Sequence, residues 1–308
     1  YNYVYWINLE GVVLKIHSMF ELKEKMLKLQ SDYVDDKKKD IVNIYVNDYN
    51  NINQIEYEPS TYREKIMEKG VYIGHHFGKK AKLHIKDIYN IYICAEDYNR
   101  ILWSYIVKYI LTIFSLENGL LHLKAGLVEV DGKGVLIVGR GGAGKTEMIN
   151  YLCSCGAKFI SNTHVICKEK MAYGIKSNVR VRFGEKEEYV SIDDLIKLKS
   201  GRICDEICKV LWINHTNDGS MLIELLNREE MYQNMKQFSE AIATWELHED
   251  VYDFYLSNPK IISKKLNEID EKIRKLISTS ELYYVNGDIK NEKSAQKLWG
   301  FLNDDTNM

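Results

Sequence analysis

Gly139, Arg140, Gly141, Gly142, Ala143, Gly144, Lys145 and Thr146 match the phosphate-binding pattern G-x-x-x-x-G-K-[ST] at every fixed position. Glycines in such a loop let the backbone curl so that its N–H groups converge on phosphate oxygens. A helix starting at the loop's end adds the positive end of its dipole. In that arrangement Lys145 reaches the outer phosphates, the Thr146 hydroxyl is a magnesium ligand, and Glu147 follows in the first helical turn. The chemistry expected of these residue types at this spacing is the binding of a nucleoside diphosphate or triphosphate.

The flanking segments have the character needed to hold such a loop. Residues 134–138, Gly-Val-Leu-Ile-Val, read as a buried strand, and residues 147–152 carry an apolar face suited to a helix. Strand, glycine loop and helix together are the context that gives the pattern a mechanism. From residue 120 to about 214 the pattern suggests strands alternating with helices, the mark of an α/β core. Residues 207–213 read as a further core strand, and residues 227–247 and 258–279 as helices.

Upstream, residues 1–95 look β-rich. Segments 3–7 and 12–16 flank Glu10-Gly11, which reads as a hairpin turn. Segments 41–46, 71–73, 81–85 and 91–94 look like further strands of one meander, and 20–29 has helical spacing. Residues 97–116 form the clearest early helix, with Ile101, Leu102, Tyr105, Ile106, Tyr109 and Ile113 on one face. The expected division is a β-rich N-terminal region, 1–95, and a nucleotide-binding domain with a helical C-terminal part, 96–308.

Composition narrows the function classes. With 42 basic and 44 acidic residues the net charge is −2, so no basic excess points to nucleic acid. No apolar run approaches the roughly 18 residues of a membrane span. The cysteines, Cys94, Cys153, Cys155, Cys167, Cys204 and Cys208, lack the spacing of a zinc ligand set and read as small buried hydrophobes. Free thiols in a nucleotide-binding chain point to a reducing cytoplasm.

Around the loop, residues 120–166 resemble HPr kinase/phosphorylase and its relatives, a group that shares a core with phosphoenolpyruvate carboxykinase. Residues 123–137 follow that family's strand–turn–strand lead-in without a gap, and Gly144-Lys145-Thr146-Glu147 is similar to its G-K-S-E. The resemblance implies an α/β fold, with a P-loop HPr-kinase-like core after a β-rich N-terminal region. It also implies ATP and Mg²⁺ as cofactors, and transfer of a phosphoryl group to a hydroxyl.

Two departures fall at the family's reactive positions. Its two aspartates hold the metal and take the proton from the acceptor hydroxyl. Their places, 17 and 18 positions after Lys145, are occupied by Asn162 and Thr163. Neither ionises usefully near neutrality, so neither serves as a base, although Asn162 could bond a magnesium-bound water and Thr163 could ligate a metal weakly. Lys124 stands where the family has an active-site histidine, with His122 two residues earlier. His164 directly follows the substituted pair and is the side chain best suited to replace the lost base. Against this stands the plainer reading of His164 and His122 as satisfied histidines at strand ends.

Further candidates are weaker. Arg180 and Arg182 would project from one face of a strand and could clamp an anionic substrate, or simply be solvated. Glu169, Glu185, Glu187, Asp193 and Asp194 could replace the missing metal ligands, with nothing to single one out. The adjacent His75 and His76 would face opposite sides of a strand, which argues against a shared metal. The expected function is an ATP-dependent phosphotransferase acting on a hydroxyl of a small molecule or peptide, in a specialised biosynthetic setting by analogy. The alternatives are a nucleotide-binding module that contacts a partner protein, and another ATP-dependent transferase. Oligomerisation stays open.

Overall fold

The computed structural model describes residues 1–9, 11–22, 40–51, 63–71, 80–177, 179–183, 186–190, 200–238 and 248–304. It is a mixed α/β structure whose chain divides into two compact units, Tyr1–Phe114 with Leu247–Ile262, and Ser115–Glu246 with Ser263–Met308. The division falls after Phe114, where the sequence reading sets its boundary at 95/96.

The first unit is built on six strands, β1 (Tyr3–Asn8), β2 (Val12–Ser18), β3 (Asp40–Asn47), β4 (Arg63–Val71), β5 (Lys80–Asp87) and β6 (Asn90–Ala95), in the order β1-β2-β3-β6-β5-β4. The expected meander is corrected here: β2 pairs with β3, and β3 with β6, in parallel. Parallel neighbours need crossover connections, which a strand-by-strand reading cannot anticipate. Alternating apolar residues such as Val42, Ile44 and Val46 are fully buried. On the opposite face an aromatic row crosses the strands. Tyr45 stacks on His17 at 4.9 Å and on Tyr92 at 4.6 Å, and Tyr92 lies 5.8 Å from His84. Such cross-strand pairs fix register.

Helix α1 (Tyr98–Ile101) continues through a π-type stretch, Leu102–Ile106, into α2 (Val107–Glu117). The six apolar residues expected on its inner face are all buried. Most of the helical spacing at 20–29, most of the strand at 71–73, and His75 and His76 lie outside the described residues.

The second unit carries the glycine loop. Its strands are β7 (Leu121–Leu123), β8 (Gly126–Val130), β9 (Lys133–Val138), β10 (Lys158–Ser161), β11 (His164–Lys168), β12 (Met171–Ile175), β13 (Val179–Phe183), β14 (Lys186–Val190), β15 (Ile203–Cys204), β16 (Ile207–His215), β17 (Met221–Leu225) and β18 (Glu281–Gly287). The main sheet runs β10-β8-β9-β16-β18-β17, beside a four-stranded sheet β15-β12-β11-β7 and a two-stranded ribbon β13-β14. Its helices are α3 (Lys145–Ser154), α4 (Arg228–Lys236), most of α6 (Pro259–Ser278) and α7 (Glu292–Asp304); α5 (His248–Phe254) belongs to the first unit.

Among the described residues between 120 and 214 strands do not alternate with helices, and α3 is the one helix there. The cause is local turn chemistry. Asp131 and Gly132 both take positive φ, 47° and 80°, which folds β8 back on β9 as an antiparallel hairpin. Among the described strands of this unit the parallel ladders are β9–β16 and β16–β18, with an isolated parallel bridge between Phe159 and Ser200. Helix α4 begins with a capping box between Asn227 and Glu230. The expected continuation of that helix to 247 falls outside the described residues beyond Phe238. All six cysteines are free. Burial pushes the Cys153 and Cys167 thiols up to about 12, which leaves them inert. No helix among the described residues is long and apolar enough to cross a membrane.

Candidate nucleotide site

Strand β9 ends at Val138 inside the sheet, with β8 on one side and β16 on the other, and the glycine loop leaves from its C-terminal end. Residues 135–138 are buried, so the strand is anchored by its own apolar run. Gly139 has no room for a side chain, since a Cβ there would lie 2.8 Å from the Ile213 carbonyl of β16. Gly142 and Gly144 take φ of 81° and 84°, the left-handed conformation that L side chains resist. Gly144 is the N-cap residue of α3 and makes no side-chain cap, so the first amides of the helix are left for a ligand. Ala143 is buried in the loop, and its N–H donates to the Arg140 carbonyl at 3.2 Å. Arg140 and Gly141 are exposed at the rim.

Lys145 folds back over the loop. Its Nζ donates to the Gly139 carbonyl at 2.6 Å and to the Arg140 carbonyl at 2.8 Å. Desolvation, and then the positive charge of Lys124, pull its pKa down to about 8, while Glu147 acts the other way. A half-buried ammonium under that strain is poised to take an anion. Thr146 is half-buried next to it, and Glu147 is exposed.

The structure brings Lys124 to this loop. Lys124 lies just before β8, whose pairing with β9 begins at Gly126 opposite Ile137, and its charge is felt at Lys145. The Lys124 N–H donates to the Phe238 carbonyl at 2.9 Å, and the Phe238 ring packs on Trp212 of β16, 5.4 Å between centroids.

Asn162 and Thr163 are engaged elsewhere. They form the bend between β10 and β11. The Asn162 amide donates to the Ser177 carbonyl at 2.8 Å, and its Oδ1 accepts from the Ser177 N–H at 2.9 Å and from the Ser177 hydroxyl at 3.3 Å. Thr163 Oγ1 bonds the same Ser177 hydroxyl. Both residues thus clasp the segment after β12, and Ser177 is a partner that the sequence alone did not reveal. His164 opens β11, and its Nδ1 lies 3.0 Å from Nε2 of His122 on neighbouring β7; both are buried.

His215 is another residue that the sequence reading passed over. It ends β16 two residues beyond the expected strand, and its Cβ would lie 3.4 Å from a Cβ placed on Gly144. Its Nε2 lies 2.9 Å from Asn217 Oδ1, while its Nδ1 is buried without a hydrogen-bond partner. A signal was available: a polar run, Asn214 to Asp218, follows directly on the buried strand beside the loop strand.

Arg180 and Arg182 lie in β13 of the ribbon, opposite Tyr189 and Glu187. Glu169 accepts from Lys275 Nζ at 2.6 Å and is engaged in that pair. Glu185, Asp193 and Asp194 lie outside the described residues.

The loop fits a polyphosphate: converging glycine backbone, a free helix start and a strained ammonium. It offers a divalent cation less. Thr146 supplies one hydroxyl. Glu147 is exposed, and Asp218 beyond β16 closes its own turn, accepting from Thr216 Oγ1, Ser220 N and Ser220 Oγ. Among the described residues no group of three or more His, Cys, Asp or Glu side chains could hold a metal ion. That donor set is short of the carboxylates on which magnesium binding relies.

No family model matches the chain, and no curated protein matches it. Among solved structures, an HPr(Ser) kinase/phosphatase from Coxiella burnetii is similar over 34% of this chain and 76% of its own length, with 15% identity and a TM-score of 0.26.

Proposed function

We propose that the protein binds ATP at residues 139–146 and transfers its terminal phosphoryl group to a hydroxyl of a small molecule or peptide, in the manner of an HPr-kinase-like phosphotransferase. The observation that carries the reading is Lys145, held over the loop by the Gly139 and Arg140 carbonyls with its pKa lowered to about 8. Its hydrogen bonds are to carbonyls that do not neutralise it, so a phosphate would relieve the cost of its charge.

In the reaction the bond from the terminal phosphorus to the ADP oxygen breaks and a bond to the acceptor oxygen forms. The chain contributes position and charge: loop amides and Lys145 stabilise the transferring group. The acceptor's proton would pass to His164, whose contact with His122 lets the two imidazoles share it. His164→Ala should then lower turnover by about 10²- to 10⁴-fold, the usual worth of a general base, with ATP affinity kept. An unchanged rate would remove His164 from the mechanism.

A second reading, a nucleotide-binding module without turnover, has one observation in its favour. Asn162 and Thr163 are consumed by Ser177. Substrate-dependent ATP consumption by the full chain would exclude it. Under either reading the free cysteines suit a reducing cytoplasm.

A further inference from the structure

The main sheet of the second unit has a filled face and a half-open face near the glycine loop. Along β16 and β18, Leu211, Ile213 and Val285 are buried on one side. Side chains alternate across a strand, so Trp212 and Asn214 lie on the other side. The parallel register sets Trp212 beside Tyr284 and Asn214 beside Asn286. The edge strand β17 adds Glu224 beside Tyr284 and Leu222 beside Asn286. Trp212, Tyr284 and Asn286 are half-buried, while Asn214, Leu222 and Glu224 are exposed. This face adjoins the loop. Trp212 pairs with Val138, the residue before Gly139, and a Cβ on Gly139 would lie 2.8 Å from the Ile213 carbonyl, between Trp212 and Asn214.

The face carries hydrogen-bonding capacity that the fold leaves unused. The Asn214 amide donates to Asn286 Oδ1 at 3.2 Å. Among the described residues nothing bonds the Asn214 carbonyl, the Asn286 NH2, the Tyr284 hydroxyl or the Trp212 indole N–H, and none of these atoms is buried. The Phe238 ring packs on Trp212, 5.4 Å between centroids, and braces the aromatic floor. Neighbouring strands stand about 4.8 Å apart and same-face residues about 6.6 Å apart along a strand, so two rings and two amides fall within the span of one substituted six-membered ring. A ligand for this patch needs an apolar flat side for the rings and an edge of groups that both donate and accept. Hydroxyls do both, whereas an ammonium or a carboxylate does only one. The Glu224 carboxylate at the patch disfavours an anion and accepts from a hydroxyl. A polyhydroxylated ring meets every condition, with its C–H face on Trp212 and Tyr284 and its hydroxyls at Asn214, Asn286 and Glu224. It also brings the group that the proposed reaction phosphorylates.

We propose that this face is the acceptor subsite, and that the acceptor is a neutral polyhydroxylated ring of the sugar or cyclitol class. The inference rests on the reading of residues 139–146 as an ATP site and names the acceptor's chemistry. One ring hydroxyl is then presented at the loop edge beside Gly139. Its oxygen forms the new bond to the terminal phosphorus as the ADP oxygen leaves, and its proton passes to the base described above.

The test follows the Trp212 indole N–H by NMR, assigned through Trp212→Phe, while glucose and myo-inositol are titrated separately into the full chain. Adenosine and a capped serine amide serve as comparators, and ATP is titrated into the same samples. At least one polyol should shift the resonance saturably, and which one does so separates the sugar from the cyclitol. Asn214→Ala, at an exposed position, should weaken that polyol about tenfold, the size of a lost hydrogen bond. With ATP and magnesium present the same polyol should raise ADP release, and Asn214→Ala should raise its KM more than it lowers kcat. No shift with either polyol, or a shift with adenosine or the serine amide alone, would overturn the inference; ATP binding in those samples leaves the nucleotide site standing. Polyol binding that both Asn214→Ala and Asn286→Ala leave unchanged would overturn the placement on this face. Polyol binding by a chain that binds no ATP would overturn the acceptor role together with the nucleotide reading. Where Trp212→Phe fails to fold, saturation transfer from the protein to each polyol reads binding directly, in the parent and in Asn214→Ala.

Discussion

Lys145 makes ATP affinity a function of pH, with a sign and a size that follow from its surroundings. In the free protein its pKa is lowered from 10.5 to about 8, first by desolvation and then by the Lys124 charge. A phosphate in the loop supplies the counter-charge, so in the complex the pKa returns toward the ordinary lysine value. The bound state therefore holds a proton that the free state gives up as pH rises through about 8. Affinity should be nearly flat from pH 6.5 to 7.5 and fall beyond that. By pH 9 only about a tenth of the free protein is protonated at Lys145, so affinity should be about tenfold weaker than at pH 7, or about 1.4 kcal/mol. ATP does not confuse the reading, because a phosphate monoester has its second pKa near 6. Calorimetry in two buffers of different ionisation enthalpy measures the proton directly, with uptake near zero at pH 7 and approaching one at pH 9. Lys145→Arg should abolish the step, since a guanidinium does not titrate there. Lys124→Met should move it to higher pH, because one of its causes is gone. Constant affinity from pH 7 to 9 with no proton uptake would refute the account of Lys145.

Other substitutions probe the frame around the loop. Asn162→Asp puts a carboxylate oxygen where the amide donated to the Ser177 carbonyl, and should cost about 1–3 kcal/mol in urea denaturation instead of restoring a family acid. Gly144→Ala forces a left-handed φ of 84° on an L residue, with its Cβ against His215. Its thermal midpoint should rise less with ATP than the parent's. Gly174→Ala drives a Cβ into the Ile160 carbonyl between two sheets and should destabilise by about 3 kcal/mol or more, measured by the same denaturation.

What the sequence made legible was what local pattern encodes. The strand expected at 134–138 is β9, Lys133–Val138, and the helix expected at 147–152 is α3, Lys145–Ser154. A buried apolar run and a fixed glycine–lysine spacing carry that information within twenty residues. Pairing over distance was not legible. Ser177 meets Asn162 from 15 residues away, and His122 meets His164 across 42. No periodicity records such contacts. The parallel pairing of β2, β3 and β6 depends on where connections cross, which strand patterns leave open. His215 was missed because its strand runs past the last apolar residue, and polar residues at a strand end look like the start of a loop.

The central claim is that residues 139–146 hold the phosphates of ATP. Isothermal titration of ATP into the full chain and into Lys145→Ala, near pH 7, tests it most directly. The account predicts saturable binding at one site in the parent, with a matching rise in melting temperature, and neither in the variant. No binding by the parent, or equal binding by the folded Lys145→Ala chain, would contradict it.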